Sequence, residues 1–171
     1  MITLLPLEGL QLFAPFVAVS TWFGAGLVDP LRAGLAVATA VPLASLLASR
    51  VSTLPVAAAG ATLLAAGVVS TFAWEAATAI KDDRRVVVDE VAGYVGAVIA
   101  IRLSGYRVSL GGLSLLAVLF LAVDRLKPWP MQPIERLPGG FGVMLDDVAA
   151  GVVTGLVAAL ACAVLRHGRG R

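Results

Sequence analysis

Charge, histidine and cysteine are all scarce in this chain, and each scarcity removes a class of explanation. Only 14% of the 171 residues are charged and 59% are hydrophobic, against about 25% and 45–50% in an ordinary soluble domain. With a mean hydropathy of +0.94, the chain reads as a membrane protein, and its length as one domain, residues 1–171. The one histidine, His167, lies in a basic C-terminal tail, which excludes a histidine nucleophile. The one cysteine, Cys162, lies inside an apolar run, so no internal disulfide forms and no neighbouring charge makes a reactive thiolate. No apolar run alternates with period 2, which argues against a closed barrel. The opening MITLLPLEGL lacks a basic n-region, so no cleaved signal peptide is expected.

What is present is apolar sequence in helix-length pieces. Uncharged runs cover 11–28, 33–49, 51–74, 108–123 and 148–165, each near the roughly 17–25 residues of a spanning helix. A sixth segment, 86–103, is apolar except for Asp89 and Glu90 near its start and Arg102 near its end. The expected fold is all-α, a polytopic membrane bundle of five to six apolar helices. Residues 1–74 read as scaffold, with Gly24, Gly26, Gly34 and Gly60 allowing close helix approach. Nine of the 11 acids fall between Glu75 and Asp147. A carboxylate at a bilayer centre costs on the order of 2.5–3.5 kcal/mol, so residues 75–155 are where chemistry is expected. The positive charges do not set an orientation. Alternation of six helices does place the 81–88 and 127–143 connections on one face.

Two segments echo each other: VVVDEVAG at 86–93 and VMLDDVAAG at 143–151. On a helix, Asp89 and Glu90 lead into Gly93, Gly96 and Ala97, and Asp146 and Asp147 into Ala150, Gly151 and Gly155. Small stripes let two helices come close, which would converge the four acids near the membrane surface. They would then repel unless protonated or bridged by a cation, and oxygen ligands suit a hard ion such as Mg²⁺. The alternative is that the acids simply favour helix N-termini through the dipole. In LPGGFGVMLDD, Gly139, Gly140 and Gly142 precede a helix start, as a phosphate cradle or as a tight turn. Lys127 shares a helical face with Asp124, and Pro128 and Pro130 end that helix beside an interfacial Trp129. Arg84, Arg85, Arg125 and Arg136 lie nearby and suit phosphate oxygens, or merely flank helices. No Asp-x-Asp-x-Thr/Val and no Asp-x-x-Asp-Gly signature occurs. Metal-assisted chemistry by carboxylates remains.

Three blocks give the chain a resemblance. Asp89-Glu90-x-x-Gly93, Phe120-x-x-x-Asp124-x-x-Lys127-Pro128-Trp129-Pro130 and Gly139-Gly140-x-Gly142-x-Met144-x-Asp146-Asp147-x-x-Ala150-Gly151 follow one another in the order of the phosphatidylglycerophosphatase A family. The chain resembles that family over roughly 74–155, and Lys81 and Asp82 look like its upstream Lys-Asp pair. Leu121 stands where the family has Arg, Pro138 where it often has His, and Val88 where an aromatic is common. An early Gly-rich segment survives only as Gly24-Ala25-Gly26-Leu27.

The resemblance implies a Mg²⁺-dependent bacterial enzyme that removes the terminal phosphate of phosphatidylglycerol phosphate. It places the chain in the cytoplasmic membrane, with the site at the cytoplasmic face. Asp89, Glu90, Asp146 and Asp147, with Asp124, would hold the metal and supply the catalytic carboxylates. Lys127, Arg84, Arg125, Arg136 and the Gly139–Gly142 segment would bind the phosphate. The partners expected are an anionic phospholipid and the membrane, with no nucleic acid; the oligomeric state stays open. Two other readings stand beside it: a phosphatase for another membrane lipid phosphate, and a non-enzymatic ion-coupled transporter.

Overall fold

Five long helices account for most of the chain. The computed structural model describes residues 1–127 and 131–169. Its helices are α1 (Pro15–Ser20), α2 (Arg32–Arg50), α3 (Thr53–Thr78), α4 (Val88–Leu103), α5 (Leu110–Leu126), α6 (Met131–Glu135) and α7 (Gly140–Arg169). Two short strands, β1 (Thr3–Leu4) and β2 (Val28–Asp29), pair antiparallel. The fold is therefore the all-α membrane bundle expected. Among the described residues α2, α3 and α7 are long and apolar enough to cross a membrane. Their outer faces stay apolar: Leu54 and Val69 on α3, and Val157, Leu160 and Val164 on α7, are exposed. A water-facing helix would carry polar residues there.

The first apolar run, 11–28, does not become a spanning helix. Its helical part is six residues long, α1. Trp22 and Phe23 then adopt left-handed backbone with φ of 47° and 56°, and the Gly24 N–H donates to the Thr21 hydroxyl at 3.1 Å. The chain folds back through a 3₁₀ turn, Ala25–Leu27, to pair with its own start. Hydropathy reports only that this run is buried or in lipid. The Pro15 start and the glycine-containing turn decide that it lies across one end of the bundle.

α4 is the central helix. It packs against α2, α3, α5 and α7, and its contact with α7 is the most extensive between elements among the described residues. Gly93 and Gly151 make that contact possible. A Cβ on Gly151 would lie 1.8 Å from the Gly93 carbonyl oxygen, and one on Gly93 would lie 2.6 Å from the Asp147 carbonyl oxygen. The two small stripes read in the sequence therefore face each other, backbone to backbone. Burial is correspondingly complete: Tyr94, Ala97 and Phe120 have no measurable exposure. With α1 set aside, the helix ends still alternate. The α3–α4 and α5–α7 connections meet at one end, where the Lys81 Nζ donates to the carbonyls of Glu135 (3.1 Å) and Leu137 (2.7 Å).

Candidate active site

The close approach of α4 and α7 dictates what stands at that shared end. Asp89 and Glu90 occupy the first turn of α4. α7 begins at Gly140, earlier than expected from sequence, so Asp146 and Asp147 lie in its second turn. The helix dipole acts mainly over a first turn; it can account for Asp89 and Glu90 but not for Asp147. Asp89, Glu90 and Asp147 nevertheless each bring one carboxylate oxygen within 4.8 Å of the others'. Asp124, on the last turn of α5, lies beside Asp147 and faces Glu90. Arg32, at the start of α2, also acts on Glu90.

Lys127 links this cluster to a second one. It terminates α5 in the left-handed conformation, φ 40°, which turns its side chain towards α7. Its ammonium donates to Asp146 Oδ2 at 2.9 Å and to Glu135 Oε1 at 3.0 Å. Burial disfavours its charge, but the two carboxylates outweigh that and hold its pKa above the ordinary lysine value. Lys127 is cationic at any physiological pH. A cavity of about 250 Å³ opens here, lined by Lys81, Asp82, Asp89, Lys127, Glu135, Val143, Asp146 and Asp147.

Buried oxygens without partners test whether a cation fits. Among the described residues no donor reaches Glu90 Oε2 or Asp146 Oδ1, although both atoms are buried. An unsatisfied buried carboxylate oxygen is costly. Several carboxylates at these separations repel unless a cation or protons intervene. The donors are all oxygens, the set that suits Mg²⁺ or Ca²⁺ rather than a soft metal. The residues present fit a hard divalent ion.

Other sequence expectations fall elsewhere. Arg84, Arg125 and Arg136 are exposed and none lines the cavity. Gly139, Gly140 and Gly142 do not line it either. A Cβ at these positions would meet Phe72, Thr71 and the carbonyl oxygens of Leu137 and Glu135, respectively, within 2.1–2.6 Å, so the three serve to seat the start of α7. Pro128, Trp129 and Pro130 lie outside the described residues. Arg85 is structural. Its guanidinium chelates buried Asp83 (2.6 Å from Nη2 to Oδ2), stacks 5.4 Å over the Trp74 ring and donates to the Pro6 carbonyl at 2.7 Å. The Trp74 indole N–H also donates to Asp83, at 3.1 Å. Burial alone would raise the Asp83 pKa, but the bonds from Arg85 and Trp74 hold it below the usual carboxylate value.

Sequence reasoning missed Glu135 and the Asp83 hub. Neither sits on a periodic helix face, and the available signal was only their place in the acid-rich segment.

A family model described as Phosphatidylglycerophosphatase A matches residues 18–162. Two curated relatives are similar over part of the chain. Phosphatidylglycerophosphatase A of Escherichia coli (strain K12) is 32% identical over 76 residues, 44% of this chain and 42% of the relative. A Bacteroides thetaiotaomicron protein, named as a candidate phosphatidylinositol-3-phosphatase, is 35% identical over 85 residues, 47% of this chain and 50% of its own. The chain thus spans about half the length of the curated relatives it matches. No solved structure matches it significantly.

Proposed function

This chain belongs to the phosphatidylglycerophosphatase A family, and from that premise we propose that it is a Mg²⁺-dependent lipid phosphatase acting on phosphatidylglycerol phosphate. The observation that carries the reading is the convergence of Asp89, Glu90 and Asp147, two of which, Asp89 and Asp147, line one cavity together with the Lys127–Asp146 pair, at the end of an apolar bundle. The two relatives' names agree on removal of phosphate from a phosphoinositide or phosphoglycerol lipid, and differ on which.

In this reading Asp89, Glu90 and Asp147 form the metal site, and Asp146, outside that group and paired with Lys127 through Oδ2, would join it through its unpartnered Oδ1. When bound, the metal neutralises phosphate oxygens and lowers the pKa of a coordinated water. Lys127, held between Asp146 and Glu135, presents a fixed positive charge to the phosphate as charge develops on the transferring group. Lys81, tied to the Glu135 and Leu137 carbonyls, holds the far wall and adds a second positive charge at the cavity. Asp124, beside Asp147, is positioned to accept a proton from the attacking water or to fix its carboxylate neighbour. The apolar packing beneath, with Phe120 against Gly93, excludes bulk water from the membrane side.

The domain reading goes with this function. Residues 1–171 work as one membrane-embedded unit, with 1–74 mainly scaffold and 75–155 carrying the chemistry. The site faces the cytoplasm in a bacterial inner membrane, where the anionic phospholipid substrate reaches it laterally. The test is phosphate release from phosphatidylglycerol phosphate by purified protein in detergent, with Mg²⁺ and then with excess EDTA. Mg²⁺-dependent release supports the reading; no release with any divalent ion, or release indifferent to EDTA, contradicts it.

A further inference from the structure

Away from the acidic cavity, α3, α4 and α7 enclose an apolar groove of about 410 Å³, with Leu64 from α3, Ala92, Gly96 and Leu103 from α4, and Val148 and Leu156 from α7 on its wall. We propose that this groove seats one acyl chain of the lipid whose phosphate occupies the acidic cavity, an inference that rests on the lipid-phosphatase reading.

Position is the first argument. Ala92 follows Asp89 by three residues and Val148 follows Asp147 directly, so the groove's upper end lies within about one helical turn of the acidic cluster. Length is the second. From Ala92 to Leu103 the groove follows α4 for about 16 Å, at 1.5 Å per residue. One leaflet's share of a roughly 30 Å hydrocarbon core is about 15 Å. A chain hanging from a headgroup at the site fills the groove end to end.

The chemistry of the wall is the third. Among the described residues no charged side chain lines the groove, and Ser104, at its far end, is its one hydroxyl; a polar solute or an ion finds no partner among them. Gly96 adds an independent pointer. Gly93 and Gly151 are demanded by backbone contact, but a Cβ on Gly96 would meet nothing nearer than the Val148 carbonyl oxygen at 3.5 Å. Helix packing therefore leaves room at this position, and the missing side chain opens the groove instead.

The experiment compares two substrates with the same phosphate headgroup, one with long acyl chains and one with short, water-soluble chains. Gly96→Leu fills the groove without touching the carboxylates. Its kcat/KM on the long-chain substrate falls by about tenfold or more, while the short-chain value stays at the wild-type level. Equal loss on both substrates, or no loss on either, overturns the proposal. A photoactivatable lipid phosphate, with its diazirine midway along one chain, checks the wild-type protein directly. Labelling of the Val95–Leu103 peptide, competed by the unlabelled long-chain lipid, is expected; labelling confined to other helices overturns the groove. If wild-type protein hydrolyses neither substrate, the phosphatase reading fails by itself, and the labelling still decides the groove.

Discussion

Gly151 and Gly93 meet backbone to backbone, so closely that a Cβ on Gly151 would stand 1.8 Å from the Gly93 carbonyl oxygen. This contact sets the distance between the two helices that carry the acids. Gly151→Ala forces α7 away from α4 at the level just below Asp147. The expected cost is about 1–3 kcal/mol of stability, together with loss of most activity, because the carboxylates separate. Thermal unfolding in detergent and phosphate release, measured on the same preparation, check both parts. A variant with wild-type stability and turnover would show that the contact is dispensable.

Lys127 has two carboxylate partners and one proposed ligand. Lys127→Met leaves Asp146 buried without its counter-charge and removes the fixed charge offered to phosphate. Turnover falls by about 10²–10³-fold, the usual scale for one electrostatic group aimed at developing charge. Lys127→Arg retains part of that activity, whereas Glu135→Gln, which spares Asp146, costs less than Lys127→Met. Steady-state kinetics of the three variants order them.

A hard divalent ion that occupies the cluster binds the folded state and so raises its melting temperature by mass action. Thermal unfolding is expected to rise with Mg²⁺ concentration in the wild-type protein and to stay flat in Asp89→Asn. Equal shifts in both proteins would place the ion elsewhere.

The Asp83–Arg85–Trp74 hub gives a pH prediction. Burial alone would raise the folded-state pKa of Asp83, but the bonds it accepts from Arg85 and Trp74 hold it below the usual carboxylate value. A depressed carboxylate contributes stability that is fully present above the unfolded-state pKa and is lost as pH falls through the folded-state one. The wild-type melting temperature therefore exceeds that of Asp83→Asn at neutral pH, and the gap closes in acid below about pH 4. A gap that widens on acidification would contradict the assignment.

The parts of the site that were legible in the sequence lie on regular helices. Asp89, Gly93, Asp147 and Gly151 obey a spacing that any α-helix enforces, so their convergence followed once two small stripes were paired. Hydropathy fails where the backbone breaks from that spacing. At Trp22 and Phe23 the left-handed turn ends α1, and the run 11–28 becomes a cap over the bundle end instead of a span. The early start of α7 has a similar origin. Gly140 and Gly142 look like loop residues, but contacts with Thr71 and the Glu135 carbonyl let the helix begin there. Arg84, Arg125 and Arg136 matched phosphate chemistry by type alone, and type says nothing about which way a loop residue points. Glu135 was invisible for the complementary reason: only the fold brings it to Lys127, eight residues away.

One measurement bears most directly on the claim that the converged carboxylates make this chain a lipid phosphatase. Phosphate release from phosphatidylglycerol phosphate is followed across a Mg²⁺ titration, for the wild-type protein and for Asp147→Asn shown to be folded. The account predicts saturable, Mg²⁺-dependent release by the wild type and a rate lower by about 10²-fold or more in the variant. Undiminished turnover by folded Asp147→Asn would contradict it.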